Sequence, residues 1–282
     1  MSISASDVKE LRERTGAGMM ECKKALEKAG SIEDAIVYLR ETGLAKADKR
    51  ANKLAAEGVV VVAQSTDGKT TLMMEANCQT DFVARGQLGE FAQEVVDRAL
   101  QEKVDTVEAL AEMALESGNN VEYARRELVN KSGENIQLRR LAKINTPHII
   151  GTYVHGKRIG VIVELEGGDS NLAKDIAMHI AASNPKALRP EDVPAELVEG
   201  ERQIFMTQAA ESGKAPEIAA KMVEGRIKKF LGENSLLGQP FVKNPDQTVA
   251  DLVKAHNATI KSFVRFEVGE GMEKEQVDFA AE

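Results

Sequence analysis

Apolar residues near the start of the chain recur at helical spacing and predict three short helices within residues 1–55. Ser6 is a suitable N-cap for the first helix, and Ser31, with an acid three residues later, has the pattern of a capping box for the third. Two glycines within residues 15–20 predict a break after the first helix, and Gly30 is expected to end the second. The predicted buried positions are Val8, Leu11, Cys22, Ala25, Leu26, Ala35, Ile36 and Leu39.

After a charged connector, which is either helical or flexible, the pattern changes to a repeat. Residues 58–100 and 148–185 each contain an apolar strand, a Gly-Lys turn, a second apolar strand, a polar junction and an amphipathic helix. Each copy is followed by a third apolar strand, at 136–144 and at 260–268. The Asp-Gly pair at 67–68 is typical of a type I′ hairpin turn. We therefore predict two related α+β units, each a small antiparallel sheet covered by helices.

A long helical excursion interrupts the second unit and predicts an antiparallel helical hairpin at about 191–233. Pro216 fits the first turn of its second helix, where the missing N–H costs nothing. The expected seam between the helices is formed by Ile218, Met222 and Phe230 against Val193, Leu197 and Ile204. The predicted organisation is a helical head at 1–55, a first α+β subdomain at 56–144 and a second at 145–282 that contains the hairpin.

The composition is ordinary for a globular protein, but the charge is uneven. Of the 282 residues, 43% are apolar and 29% are charged, and the net charge is −8. A groove that follows nucleic acid normally carries a basic excess, so we expect no direct nucleic-acid partner. Residues 1–55 carry 11 basic and 9 acidic side chains. A mildly basic head on an acidic body is compatible with docking to another protein, and equally with ordinary surface variation.

Cysteine use and apolar patterning favour the cytoplasm. Cys22 and Cys78 lie in separate segments without metal-ligand spacing, so we expect free thiols, no disulfide and no zinc site. The polar start of the sequence predicts no signal peptide. The longest apolar stretch, near GVVVVA, is far shorter than the roughly 20 residues of a membrane-spanning helix, so no membrane partner is expected.

Motifs for nucleotide binding and catalysis are incomplete. DGKTT at 67–71 resembles the end of a P-loop, but Ala63 stands where the motif needs a glycine, and a strand is predicted to follow instead of a helix. We interpret it as a hairpin turn. The four histidines lie outside known catalytic motifs, and His179, on a predicted helix, is expected to be structural. Without an acid–base pair of defined spacing, the chain is not expected to be an enzyme or to hold a cofactor or metal.

The junction NCQTDFVARG at 77–86 places an acid beside an aromatic residue, in a chain that is only 4% aromatic and lacks Trp. Either Thr80 or Asp81 caps a helix and Phe82 packs into the local core, or Phe82 is an exposed anchor for the pocket of a partner. The residues alone leave both interpretations open.

A series of motifs resembles the translation elongation factor Ts family over nearly the whole chain. In order these are VKELRERTGAGMMECKKAL (8–26), NCQTDFVAR (77–85), RRLA (139–142), HGKRIGV (155–161), IAMHIAAS (176–183), KMVEGRIKKF (221–230), LLGQPFV (236–242), FVRFEVGEG (263–271) and DFAAE (278–282). The resemblance implies a ubiquitin-associated-like three-helix head, a two-part core with internal similarity and a coiled-coil hairpin.

The resemblance also implies a function. Members of this family are guanine-nucleotide exchange factors that bind elongation factor Tu carrying GDP and promote GDP release, so that GTP can enter. The nucleotide-free form of elongation factor Tu is then also a partner, and a homodimer of the complex is left open. A scaffold with a ubiquitin-associated-like module and no exchange activity is the alternative, and a nucleotide-binding enzyme is a third, which Ala63 argues against.

The resemblance assigns site residues by their match to the family motifs. Thr80, Asp81, Phe82 and Val83 match the motif whose aromatic residue intrudes beside the partner's magnesium site. Arg12, Met19 and Met20 match the head signature that docks the partner's nucleotide-binding domain, and at least one of these methionines is expected in the local core. The remaining matched positions are Gly133, next to a position where many relatives have Ile in place of Ser132, and His155.

Overall fold

The structure, a computed structural model, combines helices with antiparallel sheets, which confirms the predicted α+β class. It describes residues 4–213 and 215–272, without the side chains of residues 44–49, so the DFAAE motif lies outside the described residues. The chain divides into two compact units. Unit 1 consists of Met1–Ala63, Leu72–Lys143 and Phe266–Glu282, and unit 2 consists of Gln64–Thr71 and Ile144–Arg265.

Helices dominate the first half of the chain. The elements are α1 (Ala5–Thr15), α2 (Met19–Ala29), α3 (Ile32–Arg50), β1 (Glu57–Gln64), β2 (Thr70–Cys78), α4 (Asp81–Val83), a π-helical turn (Ala84–Leu88), α5 (Gly89–Glu102), α6 (Val107–Glu112), α7 (Val121–Ser132) and β3 (Gln137–Asn145).

The second half has a similar order of elements. They are β4 (Ile149–His155), β5 (Ile159–Glu166), α8 (Ser170–Ser183), a 3₁₀ turn (Pro190–Asp192), α9 (Ala195–Glu211), α10 (Pro216–Asn234), a 3₁₀ turn (Leu236–Gly238), β6 (Pro240–Phe241), β7 (Asn244–Thr248), α11 (Val249–Ala255) and β8 (Thr259–Glu267).

The three helices of the head form where the apolar spacing predicts them, but the first begins earlier than expected. Ser4, and not Ser6, is the N-cap: its hydroxyl accepts from the Asp7 N–H at 3.0 Å, while the Asp7 carboxylate accepts from the Ser4 N–H at 3.2 Å. This reciprocal pair satisfies two N–H groups at once, which a cap at Ser6 would forgo. At the third helix, Ser31 accepts from the Asp34 N–H at 3.1 Å, which confirms the predicted cap.

The core of the head agrees with the predicted positions. Gly16 and Gly30 end α1 and α2 in the left-handed conformation, with φ of 68° and 78°. The charged connector begins after Gly43, and its first part, as far as Arg50, belongs to helix α3. The helical alternative is therefore correct for that part. Six predicted positions are fully or nearly buried and two are half-buried: Val8, Leu11, Cys22, Ala25, Leu26 and Ala35, with Ile36 and Leu39 against them.

The two predicted sheets both form, with the same strand order. β1, β2 and β3 lie side by side in that order, and so do β4, β5 and β8, with β4 and β5 antiparallel. A 14-residue helix, α5 or α8, follows each middle strand and buries its apolar side in the cluster of its own sheet. The internal repeat read from the sequence is therefore a repeat of strand order and helix placement.

The first of the two hairpin turns differs from the prediction in its turn type. Residues 67–71 do form a turn and the start of a strand, as the hairpin interpretation requires, but only Gly68 of the Asp-Gly pair has a positive φ, so the turn is not type I′. The Asp67 carboxylate instead accepts from the Ser65 hydroxyl and from the Lys69 N–H, which holds the turn from within. In the second copy, Gly156 and Lys157 both have positive φ, the pattern that a type I′ turn needs.

Helices α9 and α10 pack on each other, but along a different seam from the predicted one. Ile218, Leu197 and Ile204 are each 44–52% exposed. The actual seam is centred on Ala209, Val223 and Ile227, with Val198, Phe205, Ala219 and Leu231 packed against them. Small Ala side chains permit close contact between the helices at this seam. Of the predicted seam residues, Val193 is buried, but it lies just before the start of α9. Pro216 begins α10, as predicted.

A buried carboxylate organises the outer part of unit 1. Glu75 on β2 is fully buried and accepts from Arg139 at 3.1 Å, from Asn77 at 2.9 Å and from the Gly269 N–H at 2.9 Å. Arg140 also contacts the carboxylate. Burial by itself would raise the pKa of Glu75, but the hydrogen bonds from Gly269, Asn77 and Arg140 outweigh burial and lower the pKa. Glu75 is therefore a charged structural residue.

Among the residues that the structure describes, no helix is long and apolar enough to cross a membrane.

Candidate partner-binding site

The candidate site is the loop that joins β2 to α5. β2 ends at Cys78, and Thr80 caps the three-residue helix α4, with its hydroxyl 3.5 Å from the Val83 N–H. Of the two predicted caps, Thr80 is therefore correct and Asp81 is not. Gly86 has a non-helical conformation between α4 and α5, so the chain bends there. The bend separates a short projecting turn, residues 80–83, from the long buried helix behind it.

Within this turn, Val83 is buried and Phe82 is exposed. The Val83 side chain is 9% exposed and belongs to the core of the first sheet, whereas Phe82 is 84% exposed. Of the two interpretations left open by the sequence, the one that packs Phe82 into the local core is wrong. An exposed Phe on a turn with a buried base matches the other interpretation, that of an anchor presented to a partner.

Asp81, directly before Phe82, is also exposed and pairs with Arg85. The carboxylate lies 3.0 Å from the guanidinium of Arg85, one helical turn later, and both side chains are largely exposed. An exposed pair of this kind stabilises the fold by at most about 1 kcal/mol. Its consequence is that the charge beside Phe82 is partly neutralised.

Thr80 is fixed by an acid that lies far away in the sequence. The Glu134 carboxylate accepts from the Thr80 hydroxyl at 2.6 Å, from the Thr80 N–H at 3.0 Å and from the Gln79 N–H at 3.1 Å. Sequence reasoning did not select Glu134. The only local signal is an acid directly after a helix-ending glycine, and nothing in it indicates a contact 54 residues away.

Gly133, one of the predicted site residues, ends α7 next to this contact. It has a φ of 78°, and its missing side chain would meet open space. The left-handed conformation is what turns the chain so that Glu134 can reach the loop. Gly133 is thus the residue directly before the acid that contacts Thr80.

Cys78 supports the loop from beneath as a buried, neutral thiol. Its Sγ donates to the Thr80 carbonyl at 3.1 Å. Burial, with the nearby charge of Glu134 acting in the same direction, raises the pKa of Cys78 to about 12. Cys22 is buried as well, and both are free cysteines, as predicted.

The predicted site residues of the head form a second group, on α1 and α2. Arg12 is exposed, and Met19 and Met20 are 58% and 61% exposed. The expectation that at least one of these methionines lies in the local core is wrong, because the buried side of α2 begins only at Cys22. Two adjacent exposed methionines form an adaptable apolar surface.

His155 lies in unit 2, at the end of β4, and is exposed. Its Nδ1 is 3.1 Å from the Tyr153 hydroxyl, a contact that the sequence did not indicate. His179, in contrast, is fully buried, hydrogen-bonded to Gln239 and to the N–H of Val242, and so is structural as predicted. Burial lowers the pKa of His179, although the bond to Gln239 opposes the shift.

Comparison with known proteins identifies close relatives of the chain. The family model described as "Elongation factor TS" matches residues 79–270. Proteins named elongation factor Ts from Legionella pneumophila (strain Paris) and Halorhodospira halophila are 54% and 53% identical to it, over all of this chain and 97% of each relative. A third, from Aeromonas hydrophila, is 54% identical over all of this chain and 96% of its own length.

Proposed function

The chain belongs to the elongation factor Ts family of translation elongation factors, and from this membership we propose that it is the guanine-nucleotide exchange factor of elongation factor Tu. It binds elongation factor Tu carrying GDP, promotes GDP release and leaves the nucleotide-free partner ready for GTP. The observation that carries the proposal is the 84% exposure of Phe82 on a turn whose base is buried and hydrogen-bonded.

The exposed Phe82 is suited to act as a wedge. Insertion of a side chain into a partner costs conformational entropy, and this cost is smaller when the turn that carries the side chain is already fixed. Val83 and Thr80 fix the turn before any partner arrives. Most of the binding free energy of the aromatic ring is then available to displace side chains of the partner.

The effect on GDP follows from the charge of the nucleotide. In a GTPase, Mg²⁺ bridges phosphate oxygens and protein side chains. A ring that repacks the side chains around the metal weakens this bridge, because packed cores switch between discrete arrangements. The phosphates then lose charge compensation and GDP dissociates faster. No bond is made or broken by this chain, so we assign it no enzymatic activity and no cofactor of its own.

Other parts of the chain contribute docking. We assign Arg12, Met19 and Met20 to a contact between the head and the nucleotide-binding domain of the partner, and Gly133 and His155 to further contacts. The head, residues 1–55, is taken as ubiquitin-associated-like, the subdomains as 56–144 and 145–282, and the hairpin at about 191–233 as a coiled coil. The cytoplasm is the compartment where this partner works.

Exchange of this type is a coupling between two ligands of one partner. If the chain lowers the affinity of elongation factor Tu for GDP by some factor, GDP lowers the affinity for the chain by the same factor. Excess nucleotide therefore displaces the chain, which returns it to the next complex with GDP.

The test measures release of a fluorescent GDP analogue from purified elongation factor Tu, with and without the chain, at two Mg²⁺ concentrations. We expect the chain to accelerate release, and we expect the acceleration to shrink at the higher Mg²⁺ concentration. Binding without any acceleration would refute exchange activity. Acceleration that does not depend on Mg²⁺ would retain exchange but refute the action on the metal site.

A further inference from the structure

Glu134 makes an unusual set of contacts for a half-exposed acid. Its two carboxylate oxygens accept three hydrogen bonds, and all three come from Gln79 and Thr80, directly before the turn that carries Phe82. Two of the donors are backbone N–H groups that lie ahead of α4 and so have no helical acceptor. A carboxylate satisfies such donors with charge-assisted bonds, which are stronger than bonds between neutral groups.

We infer that Glu134 is the positioning residue of the exchange loop: it holds Thr80 and thereby fixes the direction in which Phe82 is presented. The inference rests on the proposed function and adds to it a residue outside the NCQTDFVAR motif at 77–85. Glu134 itself acts through Thr80 and does not need to touch the partner.

The short length of α4 explains why an outside anchor is needed. A three-residue helix supplies little hydrogen bonding of its own, and the non-helical Gly86 separates it from α5. Val83 anchors one end of the turn in the core. Without Glu134, the contacts that the described residues still provide at the other end are the bond from the Cys78 thiol to the Thr80 carbonyl, the contacts of Gln79 and the bonds within the turn itself.

The neighbour of Glu134 extends this anchorage to the connector behind the head. The Asn135 N–H donates to the Gln79 side chain at 3.0 Å, and its own amide group donates to the carbonyls of Ala51 and Lys53 at 3.1 and 2.7 Å. The turn after α7 therefore holds the Phe82 loop and the end of the connector at one place. The end of the connector and the loop that carries Phe82 therefore share a common support.

The first measurement needs no partner. The chain contains no Trp, so Phe82→Trp introduces a single Trp at the wedge, whose fluorescence can be excited selectively over that of the three tyrosines. Time-resolved anisotropy is recorded for this variant alone, with Glu134→Ala, and with Glu116→Ala, which removes an exposed acid in the same unit. We expect a larger amplitude of fast local motion with Glu134→Ala and no change with Glu116→Ala. Equal amplitudes in all three proteins would overturn the inference.

The second measurement separates positioning from docking. In the GDP-release assay with native Phe82, Glu134→Ala should lower the maximal rate at least about tenfold, because displacements of about 1 Å are costly to oriented contacts. The half-saturating concentration should stay within about threefold, since the head surface is untouched. Glu134→Gln should retain most of the rate, because its amide oxygen still accepts from backbone N–H groups.

The outcomes distinguish the inference from the proposed function. An unchanged maximal rate with Glu134→Ala, or a rate that falls only in proportion to lost thermal stability, would refute positioning. If Glu134→Ala does not fold, Glu134→Asp takes its place, because it withdraws the carboxylate by one methylene and keeps the charge. Failure of the wild-type chain to accelerate release would refute the proposed function, whereas the anisotropy result would still decide what Glu134 does.

Discussion

Phe82 and Val83 are consecutive residues with opposite environments: the first is 84% exposed and the second is buried in the core of the first sheet. The peptide link between them means that the position of the exposed ring is set by the packing of its neighbour. A wedge and its foundation thus occupy adjacent positions in the chain.

Removal of the ring should affect exchange more than binding. We expect Phe82→Ala to lower the maximal rate of GDP release by about 10- to 100-fold, while the affinity for elongation factor Tu falls much less, because the ring acts mainly on the metal site. Stopped-flow GDP release and calorimetry measure the two quantities. Phe82→Leu keeps an apolar side chain, so its maximal rate should lie between those of the wild type and of Phe82→Ala. Equal losses of rate and affinity would contradict the wedge.

The exposed methionines of the head should affect docking. We expect Met19→Ala with Met20→Ala to raise the half-saturating concentration by about 30-fold and to leave the maximal rate unchanged, since each truncation removes roughly 1 kcal/mol of interface. Arg12→Ala should act in the same direction. Met206→Ala is the matched control, because Met206 is 52% exposed on α9. A change in maximal rate alone would remove these residues from the docking surface.

Loss of the buried charge at Glu75 should destabilise the fold. Glu75→Gln leaves Arg139 and Arg140 without a buried anionic partner, and breaking such a cluster costs about 3 kcal/mol or more. Urea unfolding followed by circular dichroism measures the free energy of unfolding. Glu116→Gln, at an exposed site, should change it by less than about 0.5 kcal/mol. An equally small change with Glu75→Gln would mean that the cluster contributes no net stability.

The buried His179 should make the folded protein sensitive to acid. Its pKa in the fold lies below the ordinary value of 6.5, so at pH below 6.5 the unfolded chain binds more protons than the folded chain. Stability is therefore fully present above pH 6.5 and decreases as the pH falls, with a slope of at most about 1.4 kcal/mol per pH unit from this residue.

The pH effect is checked by urea unfolding between pH 7.5 and 5. His179→Gln should flatten the dependence, whereas His256→Gln, at an exposed position, should leave it as in the wild type. Identical slopes for wild type and His179→Gln would show that another group is responsible.

Local patterns were sufficient for the elements and for much of the core, because the positions of Leu11, Cys22 and Leu26 follow directly from helical spacing. Local patterns were insufficient where contacts between residues far apart in the sequence determine the structure. The acid that holds Thr80 is Glu134, 54 residues away, and no pattern near the loop points to it. The seam of α9 and α10 depends on how closely two helices approach, which their individual periodicities do not specify.

The Gly269–Glu75 hydrogen bond has a consequence for the order in which the protein is completed during synthesis. At a ribosomal rate of roughly 5–20 residues per second, about 10–40 s pass between the addition of these two residues. Throughout this interval Glu75 lacks one of its donors, and the larger segment of unit 2, Ile144–Arg265, is synthesised meanwhile. Unit 1 contains the first residues of the chain, but it is the last unit whose sequence is completely synthesised.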